Sequence, residues 1–388
     1  MKDKLIQYIK YFINLLFFPL SKRIVFESNP EFTGNVGAVY TELLRRGINK
    51  KYKLVWRVED KEKYRDYGSP NVSFIDYEPK SLKEKIRWFW YRWSSKMLIF
   101  ENKMSEKKWH NQMAINLMHG MPIKANRDYV AHDTCDFIVS SGEKLNGILS
   151  REMDIPIKRF VTLGYPRTDA LGKATGSLEK LGIRGFDKVI VWMPTYRKHA
   201  TWSTHFHEGA QFPSGVPLLT EKEHFEALNE KLKAKNTLLI IKLHPVQDMS
   251  GISETALSDI LLLSDKTMRE KGCSVYELLA ESDALLTDYS SVYYDYLLCD
   301  KPIGLVIDDI GEYTANRGLA FEYKDYIKGD YIYTLDELIA FASDVSDGTD
   351  PAEGERLWAK AQWCDFTDFK STERVADFIL DKLNWRKS

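Results

Sequence analysis

Two histidines stand where apolar runs give way to loops. His119 follows Met113–Met118 and opens the block His119-Gly120-Met121-Pro122-Ile123-Lys124; His244 follows Thr237–Leu243 in Lys242-Leu243-His244-Pro245. An imidazole at a strand-to-loop junction suits a general base near neutral pH, with glycine permitting close backbone approach and proline stiffening the turn. A lone histidine is more often hydrogen-bonded for structure, so neither block decides the matter alone. Two further clusters have the chemistry of anion sites. In Pro194-Thr195-Tyr196-Arg197 the guanidinium is able to fork onto a phosphate. In Thr287-Asp288-Tyr289-Ser290-Ser291-Val292 an apolar run ends in two hydroxyls that open a helix, where free N–H groups and the dipole favour an anion. A plain N-cap explains Ser290 or Ser291 equally simply, and Ser371-Thr372, ahead of the last helix, is either a cap or a phosphate contact.

These clusters need a scaffold that presents strand ends. Short β-branched runs alternate with helical stretches, the pattern of parallel sheets with crossover helices. Strands are expected at 23–28, 52–58, 72–76, 97–102, 113–118, 137–140 and 160–163, then at 188–193, 237–243, 260–264, 284–287 and 302–307. Helices are expected at 35–46, 143–153, 221–235, 275–281, 292–299, 335–345, 354–363 and 372–383. Residues 174–186 carry glycines and charges without apolar period and read as the linker, which divides the chain into domains 1–175 and 176–388. The expected fold is therefore α/β, with two Rossmann-type domains facing across a cleft at the carboxyl ends of their strands. The glycine fingerprints of dinucleotide and P-loop sites are absent, as are H-E-x-x-H, an Asp-x-Asp pair and G-x-S-x-G. No metal and no cofactor is expected.

The 388 residues, 44% hydrophobic and 29% charged, describe a globular chain and exclude disordered, collagenous and polytopic membrane classes. Four scattered cysteines outline neither a disulfide framework nor a zinc knuckle, which fits a reducing compartment. Charge is uneven: residues 1–130 hold 25 Lys+Arg against 14 Asp+Glu, and the remainder 30 against 42. The basic half suits an anionic surface, and its aromatic residues favour lipid over nucleic acid. Residues 81–96 interleave Lys83, Lys85, Arg87, Arg92 and Lys96 with Trp88, Phe89, Trp90, Tyr91 and Trp93, as in a helix lying among lipid headgroups. The bland alternative is an ordinary buried helix. Residues 5–20 are apolar but interrupted by Lys10, Asn14 and Pro19, too short and broken to span a bilayer, and no small-residue cleavage site follows; this segment too is expected to lie on the membrane surface.

In this order and spacing the blocks resemble the CDP-glycerol:poly(glycerophosphate) glycerophosphotransferases, the teichoic acid primases and polymerases of the cytoplasmic membrane face. The resemblance rests on His119–Lys124, Gly164-Tyr165-Pro166-Arg167-Thr168-Asp169, Pro194–Arg197, Lys242–Pro245 and Tyr276 through Ser291, with a weaker match at Ser371–Val375. It implies a GT-B-like pair of domains, the first facing acceptor and membrane, the second binding a CDP-polyol. It implies His119 as the base toward the acceptor hydroxyl and His244 as holder of the transferred phosphate. Arg197, Ser290 and Ser291 would bind the pyrophosphate, beside Thr195 and Asp288, with Gly120, Pro122, Lys124, Ser371 and Thr372 as further substrate contacts. The implied acceptor is a saccharide on undecaprenyl diphosphate, and the implied location is peripheral, on the cytoplasmic face. Met121 stands where Thr is common and Tyr196 where Phe is common; at 388 residues the chain resembles a primase or short capsule-type transferase more than a long polymerase. A metal-independent GT-B glycosyltransferase using a nucleotide sugar is the alternative, and a non-catalytic membrane-associated binding protein a third reading.

Overall fold

The computed structural model describes residues 20–101, 111–121, 123–125, 135–195, 216–242 and 257–384. These form two compact units, the first within 1–119, 129–169 and 368–388, the second within 120–128 and 170–367. The first unit is built on seven strands: β1 (Ser21–Glu27), β2 (Lys53–Val58), β3 (Val72–Asp76), β4 (Ser95–Phe100), β5 (Met113–Asn116), β6 (Phe137–Ser140) and β7 (Phe160–Thr162). The second is built on β8 (Lys188–Trp192), β9 (Thr237–Lys242), β10 (Ile260–Leu263), β11 (Ala284–Thr287), β12 (Ile303–Val306) and β13 (Asp330–Ile332).

The sheets run β3-β2-β1-β4-β5-β6-β7 and β10-β9-β8-β11-β12-β13, with every pairing parallel. Each is a doubly wound α/β sheet whose order turns back once, between β1 and β4 and between β8 and β11. Helices cover both faces of such a sheet, so its strands read as continuous apolar runs. All six residues of β9 are buried. In the first core Phe26 stacks on Trp56 at 5.6 Å, and Tyr40 meets the same indole edge-on at 5.2 Å. In the second, Trp192, Leu239 and Leu286 pack with Phe341 of the helix Leu335–Asp347.

The strands expected at 72–76, 137–140 and 284–287 have the expected bounds. β13 was not expected; it is three residues long with one fully buried side chain, too little to stand out as an apolar run. The helix Leu82–Ser94 is fixed at its start by a reciprocal Ser81–Glu84 capping box, and Lys61 ties Glu84 to Asp76. It buries only Tyr91 and Ser94, while Leu82, Ile86, Phe89 and Trp90 are exposed, so it is not an ordinary buried helix. The segment read as a linker holds a short helix, Ser177–Lys180, gripped by Glu281, whose carboxylate accepts the N–H groups of Thr175, Ser177 and Leu178 at 2.8–3.0 Å.

The compact units differ from a single cut at 175/176. The last helix, Ser371–Asn384, belongs to the first unit, where Phe378 meets Phe137 at 5.1 Å and Leu383 accepts a hydrogen bond from Lys96. Its first turn is held by Asp169, which accepts the N–H of Ser371 at 2.9 Å and of Thr372 at 2.7 Å. A carboxylate on two first-turn amides satisfies orphan donors and complements the helix dipole. Asp169→Ala is expected to cost about 1–2 kcal/mol, read as a lower unfolding midpoint for the first unit in a two-probe denaturant titration.

Candidate functional site

In the second unit the loops after β8 and β11 flank the point where strand order reverses. Asp288 is fully buried and its carboxylate is used internally. It accepts the Thr195 N–H at 3.0 and 2.8 Å, the Thr195 hydroxyl, and the Tyr289 N–H at 2.6 Å. Its carbonyl accepts from the Tyr323 hydroxyl at 2.6 Å. Tyr289 in turn stacks on Tyr313 with ring centroids 3.7 Å apart and donates to Asp309 at 2.8 Å. Asp288 thus clamps the tips of β8 and β11 together, and two motif residues, Thr195 and Asp288, are brought into contact across 93 residues of sequence.

The chain then turns through Ser290 and Ser291, both half-buried, into the five-residue helix Val292–Tyr296. The Tyr293 and Tyr294 amides donate to the Ser290 and Ser291 carbonyls at 3.2 Å, and the Ser291 side chain makes no cap hydrogen bond. The pair reads as a helix start with hydroxyls able to donate to an anion. Tyr313 and Tyr323, which respectively stack on Tyr289 and donate to the Asp288 carbonyl, carry no sequence signal, because they stand in polar stretches outside the motif blocks.

In the first unit His119 is exposed just past β5. The preceding Met118 has φ +54°, a left-handed backbone that is uncommon outside glycine. Its N–H donates to the Asn116 side chain at 2.8 Å, and the Arg167 guanidinium donates to the His119 carbonyl. Gly120 and Lys124 fall in the second unit, so the block crosses from one unit to the other after His119. Residues 123–125 pair antiparallel with 318–320: Ala125 N–H donates to Gly318 at 3.0 Å, and Ala320 N–H to Ile123 at 2.9 Å. Met121 is buried.

Ser371 and Thr372 lie in the first unit, not with the second-unit cluster. Their amides serve Asp169, and the Thr372 hydroxyl donates to the Pro166 carbonyl at 3.1 Å. Arg374 donates to the Leu163 carbonyl and to Ser371, and a Cβ on Gly164 would sit 2.2 Å from the Ser371 hydroxyl. The Gly164–Asp169 and Ser371–Arg374 blocks are therefore partners of one another. Pro122, Arg197, His244 and the segment expected on the membrane at 5–19 lie outside the described residues. Lys242, at the end of β9, is buried and pairs with Asp265 at 2.7 Å.

Sequence reasoning missed Glu101, which follows β4 at the first reversal point. Burial pushes its carboxyl up to about 7, against the lowering effects of the Val36 N–H and of Arg167. The Val36 N–H donates to it at 3.0 Å, and Gly34 leaves it room, since a Cβ there would lie 2.3 Å from its oxygen. The strand expected at 97–102 took Glu101 into its run, whereas β4 ends at Phe100 and leaves Glu101 as the first polar residue after it.

Residues 9–381 match the model of the family described as CDP-Glycerol:Poly(glycerophosphate) glycerophosphotransferase. The chain belongs to that family. It is 25% identical over 383 residues to a teichoic acid poly(ribitol-phosphate) polymerase of Bacillus spizizenii, covering 93% of this chain and 56% of the relative. It is 24% identical over 349 residues to a teichoic acid poly(glycerol phosphate) polymerase of the same organism, covering 82% of each. A teichoic acid glycerol-phosphate primase of B. spizizenii is 32% identical over 253 residues, 64% of this chain and 59% of the relative. Among solved structures, the wall teichoic acid polymerase TagF superposes with a TM-score of 0.73 at 17% identity, covering 99% of this chain and 98% of that one. A UDP-N-acetylglucosamine 2-epimerase superposes with a TM-score of 0.56 at 14% identity, covering 96% and 98%. The fold is thus GT-B-like, two Rossmann-type units, and the family is one of transferases.

The raised Glu101 carboxyl gives a pH prediction with a definite sign. Its folded value, about 7, exceeds the ordinary 4.5, so between these values the folded chain binds more protons and stability falls as pH rises. Glu101→Gln is expected to flatten that decline, by at most about 1.4 kcal/mol per pH unit, in denaturant titrations from pH 5 to 7.5.

Proposed function

We propose that this protein transfers a polyol phosphate, glycerol phosphate or ribitol phosphate, from a CDP-polyol to a membrane-lipid-linked saccharide or polymer acceptor in teichoic acid or capsule synthesis. CMP is the other product. The observation that carries the reading is the family match over residues 9–381, which takes in each of His119, Thr195, Arg197, His244, Ser290 and Ser291. In the proposed reaction the acceptor hydroxyl oxygen bonds to the polyol-bearing phosphorus. The bond from that phosphorus to the bridging oxygen breaks, and CMP leaves with the electron pair. His119 takes the acceptor's proton, His244 holds the transferred phosphate, and Arg197, Ser290 and Ser291 hold the pyrophosphate. Gly120, Pro122 and Lys124 are proposed as nearby substrate contacts, and Thr195 and Asp288 as the frame of the donor site. Transfer of this kind needs positioning and charge stabilisation more than covalent catalysis.

The acceptor is proposed to be a saccharide on undecaprenyl diphosphate, and the protein to act peripherally on the cytoplasmic face. The helix Leu82–Ser94 supports this placement. Leu82, Ile86, Phe89 and Trp90, at helical spacing, are 74%, 59%, 45% and 42% exposed, with Lys83, Lys85 and Arg87 exposed around them. An apolar stripe rimmed by cations suits a helix lying in the plane of an anionic interface. Among the described residues no helix is long and apolar enough to cross a membrane.

Two measurements test the proposal. Purified protein given CDP-glycerol or CDP-ribitol is expected to release CMP only when a lipid-linked disaccharide acceptor is present, and His119→Ala to lower that rate by about 10²–10⁴-fold. Absence of CMP with both donors, and release of UDP or GDP from a nucleotide sugar, would instead establish the glycosyltransferase alternative. A Phe89→Ser/Trp90→Ser variant is expected to float less with vesicles containing anionic lipid while keeping its rate on a soluble acceptor analogue; unchanged flotation removes the helix from the membrane reading.

A further inference from the structure

Asn35 is completely buried in the first turn of the helix Gly34–Arg45, just beyond β1. Its carboxamide spans two loops that are far away in sequence. The side-chain N–H groups donate to the carbonyls of Leu117 at 3.0 Å and Met118 at 2.6 Å, and the side-chain oxygen accepts the Arg167 N–H at 3.0 Å. One amide thus holds the two residues before His119 and the backbone of the residue whose guanidinium donates to the His119 carbonyl.

The Met118 backbone explains why such a hold is needed. A left-handed φ in a non-glycine residue is strained, and it persists where neighbours over-determine it. Here the Met118 N–H is taken by Asn116 and its carbonyl by Asn35, both side chains buried. Released from Asn35, the turn has two buried carbonyls without that donor and a backbone conformation with no reason to remain. The imidazole that follows would lose its fixed origin.

We infer that Asn35 is a positioning residue for His119, setting the backbone from which the imidazole projects. The inference rests on the reading of His119 as the base. It differs from a purely structural role for Asn35, which would stabilise the unit without acting through one side chain. Asn35→Asp keeps the acceptor for Arg167 but turns an anionic oxygen on the two carbonyls, close to the Glu101 carboxylate that accepts from the neighbouring Val36 N–H.

The test is a double-mutant cycle on acceptor-dependent CMP release, with Asn35→Asp, His119→Ala and the pair. Misplacing a reacting group by about 1 Å costs on the order of 10²-fold, so kcat of Asn35→Asp is expected to fall by about that factor while the donor KM stays unchanged. In the His119→Ala background the same change is expected to lower kcat no further, because residues acting as one unit are not additive. Arg167→Gln, which removes the hydrogen bond to the His119 carbonyl, gives the same non-additive pattern and serves where Asn35→Asp does not fold. Multiplicative losses, or full activity in Asn35→Asp with an impaired His119→Ala, overturn the inference and leave the base reading standing. A wild-type rate in His119→Ala overturns the base reading and this inference together.

Discussion

Strand order turns back between β1 and β4 in one unit and between β8 and β11 in the other. In a doubly wound sheet the connections on either side of such a point leave toward opposite faces and open a crevice at the strand tips, where polar groups meet a ligand or one another. The polar residues that matter in this chain sit at or near those tips. Asn35 and Glu101 follow β1 and β4, Thr195 and Asp288 follow β8 and β11, and His119 follows β5.

A tip rich in polar groups is costly unless those groups are satisfied, because a buried donor or acceptor without a partner loses its hydration for nothing. The structure meets this demand with side chains that bind backbone. Asp288 takes the amides of Thr195 and Tyr289, Asp169 those of Ser371 and Thr372, Glu281 those of Thr175, Ser177 and Leu178, and Asn35 bridges two loops. The effect on Glu281 is visible in its ionisation: burial pushes the carboxyl up, but the backbone donors outweigh it and hold it below its ordinary value. Within a motif, then, some residues hold the loop, as Asp288 and Asp169 do, and others, such as His119, are left exposed beside it.

Much of this was legible along the chain. Sheet strands buried on both faces announce themselves as apolar runs, amphipathic helices by their period, and some by a cap, so the strands at 72–76, 137–140 and 284–287, the helix at 143–153 and the capped helix at 275–281 needed only local information. The marginal elements were not legible, because β13 has three residues and the helix Ser177–Lys180 depends on a carboxylate about a hundred positions away.

By itself the sequence determined the fold class, the two parallel sheets and the ordered motif blocks that mark the family, while the exposure of the apolar stripe on the helix Leu82–Ser94 was decided in the structure. The first three are written in nearest-neighbour terms, as periodicity, capping residues or contiguous blocks. Only the tertiary structure decided which of the described polar motif residues are spent on holding loops. Ser371 and Thr372 resemble anion contacts in sequence yet spend their amides on Asp169, and Asp288 resembles a site residue yet turns inward to Thr195. The last helix joins the first unit rather than its neighbours in sequence. A hydrogen-bond partner is a matter of distance in space, and in a doubly wound sheet the strands that bring two tips together lie far apart along the chain.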